Sequence, residues 1–278
     1  MRTNLYLDLL KTVLTDLHRI EKGEYIPIAG RKPTSKQRLL LPFNWILEKG
    51  GFSICKFWKP DVNERREGTD WPTHAETMIG IKRLNNLQYC IEEVLEKNVE
   101  GDFIETGVWR GGGVIFMRAV LKANGVTDRT VWVADSFEGL PKPNAEKYIH
   151  DTNDPFHTFK ALCVSQKEVE ANFRKYDLLD NQVKFLKGWF KDTLHRAPIN
   201  KLWVLRLDGD MYESTMDALT SLYPKLSSGG FVIIDDYHSV NGCKMAVADY
   251  RKSKKITDPI LDIDQGGVYW KKQALINA

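Results

Sequence analysis

Two acid-rich turns carry the strongest chemical signal in this 278-residue chain. The apolar run Leu202-Trp-Val-Leu-Arg-Leu207 ends in Asp208-Gly-Asp210, and Gly230-Phe-Val-Ile-Ile234 ends in Asp235-Asp236. If both runs are strands lying side by side, their ends stand roughly 5 Å apart. The carboxylates of Asp208, Asp235 and Asp236 then converge on one edge of a sheet. Such crowding is unfavourable without a cation, and Arg206 is the only strong base close in sequence. Oxygen donors with no Cys or His among them suit a hard divalent ion, Mg²⁺ first. A plainer reading makes Asp210 and Asp236 helix caps and leaves the ion out.

Gly101-Asp-Phe-Ile-Glu-Thr-Gly-Val-Trp-Arg-Gly-Gly-Gly113 is the other stretch suited to chemistry. Phe103 and Ile104 make a short apolar strand, and Val114 to Lys122 has helical spacing with apolar residues on more than one face. The glycines between them form a tight turn that leaves backbone N–H groups open at a helix N-terminus. The spacing is not G-x-G-x-x-G, because Glu105-x-Gly107 is followed by Gly111-Gly112. That favours a nucleoside over a pyrophosphate, which a carboxylate would repel. Asp135 closes the next apolar run, Thr130 to Ala134, 24 residues after Gly111. A carboxylate there is placed to accept two hydrogen bonds from a ribose diol, or simply to cap the turn. Gly188-Trp189-Phe190 follows a third run, Val183 to Lys187, and its rings suit an adenine or the core equally well.

Regular elements must position these turns. Strands and helices alternate from residue 101 to 251, which predicts an α/β fold with a parallel sheet and all the turns on one edge. Helices are expected at 78–95, with Met78, Ile81, Leu84, Leu87, Ile91 and Leu95 on one face, at 165–176 after a Ser165-x-x-Glu168 capping box, at 213–226 and at 245–251. Pro259 to Ile263 and Val268 to Trp270 flank Asp264-Gln-Gly-Gly267 and read as a hairpin, so one strand runs against the others. Residues 136–160 form a long proline-bearing loop, a length that points to function. Ahead of the sheet, residues 5–20 read as an amphipathic helix with Tyr6, Leu9, Leu10, Val13, Leu17 and Ile20 inward. Residues 21–75 lack periodicity but hold Phe43, Trp45, Phe52, Phe57, Trp58 and Trp71, which suits a satellite core or the wall of a cleft. The chain divides into an N-terminal helix and lid, residues 1–76, and a catalytic α/β domain, residues 77–278.

Composition excludes several classes. A net charge of +3, from 40 basic and 37 acidic residues, provides no basic face for nucleic acid. The longest apolar run, Leu39 to Leu47, is broken by Pro42 and Asn44 and is too short to span a membrane. Asp8 and Lys11 interrupt any signal-peptide core. Four scattered cysteines without a C-x-x-C pair are expected to be reduced, buried thiols of a cytoplasmic protein.

Five motifs occur in order between about Tyr6 and Trp270: Glu105-Thr-Gly-Val-Trp-Arg-Gly-Gly, Ala134-Asp-Ser-Phe-Glu-Gly-Leu-Pro, Leu186-Lys-Gly-Trp-Phe-Lys-Asp-Thr, Leu207-Asp-Gly-Asp-Met-Tyr-Glu-Ser-Thr and Ile234-Asp-Asp-Tyr. Together they closely resemble the macrocin O-methyltransferase (TylF-like) family, whose members methylate deoxysugar hydroxyls of natural products. The resemblance implies a class I S-adenosylmethionine (SAM) methyltransferase fold, Rossmann-like, with a seven-stranded, mostly parallel sheet, one antiparallel strand and an N-terminal lid. It also implies Mg²⁺ dependence, a small-molecule glycoside substrate and a homodimer or higher oligomer. By resemblance the metal triad maps onto Asp208, Asp235 and Asp236. The cofactor positions map onto Thr77, Met78, Glu105, Gly107, Arg110, Asp135, Ser136 and Gly188-Trp189-Phe190. Methyl transfer from a sulfonium needs an acceptor oxygen close to an alkoxide, hence a base. Asp208 is the first candidate, Asp210 the second if the metal saturates Asp208, and His238 the third. The segment from Glu21 to Trp71 is longer than the family pattern leads one to expect, which bears on the acceptor more than on the reaction. The competing readings are a non-sugar acceptor, a nicotinamide oxidoreductase and a non-catalytic scaffold. The altered glycine spacing and triple Asp speak against the oxidoreductase, and the intact acids speak against the scaffold.

Overall fold

The apolar runs lie side by side in one seven-stranded sheet of the computed structural model, which describes residues 2–28 and 34–273. The chain opens with α1 (Arg2–Leu14), β1 (Glu24–Pro27), α2 (Ser35–Arg38), α3 (Leu41–Lys49), β2 (Cys55–Trp58) and α4 (Val62–Glu67). It continues through α5 (Ile81–Glu96), β3 (Asp102–Thr106), α6 (Gly112–Ala123), β4 (Val131–Asp135), α7 (Gln166–Lys175), β5 (Val183–Lys187) and α8 (Phe190–Thr193). Then come β6 (Leu202–Leu207), α9 (Tyr212–Leu222), β7 (Leu226–Ile234), α10 (Asn241–Ser253), β8 (Leu261–Asp262) and β9 (Val268–Lys271).

The sheet order is β5-β4-β3-β6-β7-β9-β8, and β9 alone runs against the rest. From β3 the chain winds outward through β4 and β5, then crosses back to β6 on the other side of β3. Open α/β sheets bind ligands at such a reversal. It sets the glycine turn after β3 beside the Asp208 turn after β6. Both faces are covered, and side chains alternate between two cores as the strand period of two requires. Phe103 joins Leu7, Leu84, Ile91 and Phe116 on one face, while Ile104 joins Leu205, Leu219, Val247 and Trp270 on the other.

The N-terminal part departs from expectation in three ways. On α1 the inward face is Leu7, Leu10 and Leu14, while Tyr6 and Leu9 are exposed. Apolar residues circle too much of this helix for spacing to choose the face, and packing against α6 decides it. The helix ends at Leu14 because Asp16 turns left-handed, φ 58. Residues 21–75 are more regular than expected, for β1 and β2 pair as an antiparallel ribbon. Arg65 on α4 anchors that segment by donating to Thr15 O, Glu24 and Asp70. Phe43, Trp45 and Phe52 remain in solvent and build no satellite core. Further along, the helix expected from Met78 begins at Ile81, which leaves Thr77 and Met78 in the preceding turn. All four cysteines are free, but only Cys90 and Cys243 are buried; Cys55 and Cys163 are exposed. No described helix is long and apolar enough to cross a membrane.

Candidate active site

Parallel pairing of β6 with β7 puts Leu207 opposite Ile234, so Asp208 stands beside Asp235-Asp236. One carboxylate oxygen from each of these three lies within 4.8 Å of the others. Arg206 on β6, with its side chain 1% exposed, donates to Asp208 Oδ2 at 2.9 Å and pairs with Glu105 and Asp235. Arg83 on α5 donates to Asp235 Oδ2 at 2.6 Å and to Asp264 Oδ2 at 2.8 Å. The sequence offered no signal for Arg83, since an arginine in an amphipathic helix normally reads as solvated.

The charges at this edge do not balance. Two arginines face Glu105, Asp208, Asp210, Asp235, Asp236 and Asp264. Burial, reinforced by the charge of Asp235, pushes Asp208 up to about 6 despite Arg206. Burial pushes Asp210 and Asp236 well above the carboxylate range, helped by the charge of Asp208 on Asp210 and by that of Asp210 on Asp236. Burial also pushes Glu105 up to about 8 against the pull of Arg206. A divalent cation bound here would relieve this repulsion. Oxygens around Mg²⁺ at 2.0–2.1 Å are at most about 4.2 Å apart, so the triad fits after a small side-chain contraction.

The glycine turn is tighter than the sequence implied. Gly107 has φ 82, and a Cβ there would fall 1.7 Å from the Asp208 carbonyl oxygen. Only glycine lets the turns after β3 and β6 touch. Gly113 leaves room for the Glu105 carboxylate and Gly112 for Thr77, so these two glycines serve protein packing. Asp135 accepts the Val108 N–H on Oδ2 at 2.8 Å and the Phe137 N–H on Oδ1 at 2.7 Å. The turn-capping geometry is therefore present; Oδ1 also accepts the Ser136 hydroxyl at 3.4 Å, and Oδ2 keeps capacity for a second bond.

A cleft of about 300 Å³ opens at this edge. It brings Met78, Gly107, Asp135, Ser136, Trp189 and Phe190 together with Asp208 and Asp210. The loop after β4 supplies one wall through Leu140, Lys142 and Asn144, and α9 supplies another through Glu213 and Asp217. Asp217, which the sequence reading missed, is pushed up to about 6 by burial and by Glu213. Thr77, Glu105, Arg110 and Gly188 stand behind the lining. Thr77 Oγ1 accepts the Ile79 N–H at 3.2 Å, and Gly188 N–H donates to Asp135 O at 2.9 Å. Arg110 lies over the Trp109 ring and donates to the carbonyls of Thr73 and Ala75. Asp236 Oδ2 accepts the Asp210 N–H at 3.4 Å. His238 is outside the cleft, with Nε2 2.9 Å from Asp262 Oδ1.

This architecture has a close match among solved structures. The O-methyltransferase NovP superposes with a TM-score of 0.83 at 47% identity, covering 98% of this chain and 100% of its own. The 8-demethyl-8-(2,3-dimethoxy-alpha-L-rhamnosyl)-tetracenomycin-C 4'-O-methyltransferase of Streptomyces olivaceus is 50% identical over 272 residues, covering 98% of this chain and 94% of its own. The demethyldecarbamoylnovobiocin O-methyltransferase of Streptomyces niveus is 57% identical over 209 residues, covering 75% and 80%. Sheet order, cleft and these likenesses define a SAM-dependent O-methyltransferase of class I fold. The family model described as Macrocin-O-methyltransferase (TylF) matches residues 3–272, and the chain belongs to that family. The match takes in residues 21–71.

Proposed function

We propose that the protein transfers a methyl group from SAM to a sugar hydroxyl of a glycosylated natural product, with Mg²⁺ held by Asp208, Asp235 and Asp236. The observation that carries this reading is contact between the two turns. Gly107 meets Asp208 across β3 and β6, and Asp208 belongs both to the lining of the cleft and to the triad of convergent carboxylates. The acceptor class follows from the relatives, which act on a rhamnosyl-bearing tetracenomycin and on demethyldecarbamoylnovobiocin.

Asp135 takes the ribose diol, and Trp189 or Phe190 stacks on the adenine. Arg110 acts indirectly, by fixing the 73–75 strap beside the turn. When bound, SAM supplies an electrophilic methyl and Mg²⁺ makes the acceptor hydroxyl more acidic. A carboxylate must take the proton. Asp208 is already bonded to Arg206, whereas Asp210 lines the cleft and has no ion pair among the described residues. That leaves Asp210 the freer carboxylate to act as base, ahead of Asp208, with His238 third because it faces Asp262. Residues 1–76 act as a lid; Trp71 packs edge-on against Phe159 of the loop at 5.8 Å. Exposed Leu5, Tyr6 and Leu9 on α1 fit a homo-oligomer, and four free thiols fit the cytoplasm.

The test is mass spectrometry of products formed from SAM and a panel of deoxysugar glycosides. One added CH₂ on the sugar fragment is expected. Addition to the aglycone, or to none of the panel, would overturn the acceptor class.

A further inference from the structure

Helix α9 starts directly after Asp208-Gly-Asp210 yet has no cap of its own, because Met211 at its N-cap offers no side-chain acceptor. The cap comes from elsewhere. Asp151, on the loop between β4 and α7 and 1% exposed, accepts the Tyr212 N–H on Oδ1 at 2.6 Å and the Glu213 N–H on Oδ2 at 3.0 Å. The start of α10, the helix after Asp235-Asp236, closes on the same carboxylate. A Cβ on Gly242 would stand 2.8 Å from Asp151 Oδ1 and 3.0 Å from the Tyr212 nitrogen. One buried acid thus lies between the N-termini of both helices that follow the acid-bearing strands, where helix dipoles favour negative charge.

Asp210, in the turn braced in this way, has left-handed backbone, φ 56, a conformation uncommon outside glycine that Asp adopts more readily than most residues. The loop that carries Asp151 also walls the cleft through Leu140, Lys142 and Asn144. Its far end is fixed by Trp109 Nε1, which donates to Ala161 O at 2.8 Å.

We propose that Asp151 is a positioning residue for methyl transfer. It locks the start of α9 so that Asp208 and Asp210 keep their places at the cleft, and it ties that turn to the loop walling the cleft. Both of its oxygens are committed to backbone N–H groups, so it acts through them and not on the substrate. This inference rests on Asp208 and Asp210 being the catalytic acids.

The experiment compares Asp151→Asn and Asp151→Ala with Asp102→Ala. Asp102 also accepts two N–H bonds, from Thr130 N and Trp132 Nε1, both at 2.9 Å. It lies at the start of β3, the end of the strand away from the cleft. Small displacements at a reacting centre cost on the order of 100-fold in rate, and a kcat loss of that order is expected for Asp151→Ala, with a smaller loss for Asp151→Asn. Amide exchange of residues 207–215 should quicken in both, with the SAM dissociation constant unchanged. Asp102→Ala should lower the melting temperature without either effect. If Asp151→Ala does not fold, Asp151→Asn decides. The proposal is overturned if kcat and exchange in Asp151→Asn match those of Asp102→Ala. Asp208→Asn and Asp210→Asn test the premise separately: full activity in both would remove it while leaving the exchange result intact.

Discussion

Asp135 and the acids after β6 and β7 stand on the same sheet edge but are held by opposite means. Asp135 accepts two backbone N–H bonds, from Val108 and Phe137, so its orientation is set by the backbone of its own turn and of the glycine turn after β3. Asp208 and Asp235 are held by the guanidiniums of Arg206 and Arg83, and the arginines cancel only part of the local charge. Backbone dipoles fix a recognition group whether or not its ligand is present. An unbalanced charge cluster instead changes state with ions and with pH, which suits it to catalysis.

The largest test of this contrast is loss of the acids. Asp208→Asn or Asp236→Asn should lower turnover by about 10²- to 10⁴-fold, while SAM affinity by calorimetry stays put. A parallel loss of affinity would erase the distinction between the two regions. Next in size is Arg206→Ala, which strands the buried Glu105 carboxylate and leaves Asp235 with Arg83 alone. Urea denaturation should show a loss of about 3–5 kcal/mol, and a loss below about 1 kcal/mol would mean that charge does not hold the cluster. Asp135→Ala should weaken SAM binding by about 1.5–3 kcal/mol; unchanged affinity would make Asp135 a turn cap alone.

The smallest effect expected is on stability against pH. Without an ion, Glu105 sits at about 8 because it is buried, and Asp208, only half-buried, at about 6 through desolvation and the charge of Asp235. The folded protein then keeps protons that the unfolded chain, titrating near pH 4, has released. Stability should therefore fall as pH rises from about 4 to 8. Added Mg²⁺ should raise the melting temperature more at about pH 8 than at about pH 5. Equal rises at both would contradict a charge-driven site.

The parallel strands and their turns are legible in the sequence because a strand buried on both faces is a continuous apolar run, and here each such run ends in glycine or acid. Asp208, Asp235 and Asp236 follow from that pattern alone. Arg83 and Asp151 do not, because Arg83 reaches Asp235 across 152 residues and Asp151 reaches Tyr212 across 61. Such pairs exist only once the sheet has closed. The β1–β2 ribbon is illegible for a different reason: its strands are four residues long, and β2 is exposed throughout, so no alternation of burial marks it.

The most direct test of the metal-assisted site is an initial-rate assay of the unaltered enzyme with SAM and a deoxysugar glycoside, run in EDTA and again with excess Mg²⁺. Activity should vanish in EDTA and return with Mg²⁺, while SAM binding is the same in both buffers. Full activity in EDTA would contradict a catalytic role for the ion and leave proton removal to a carboxylate acting alone.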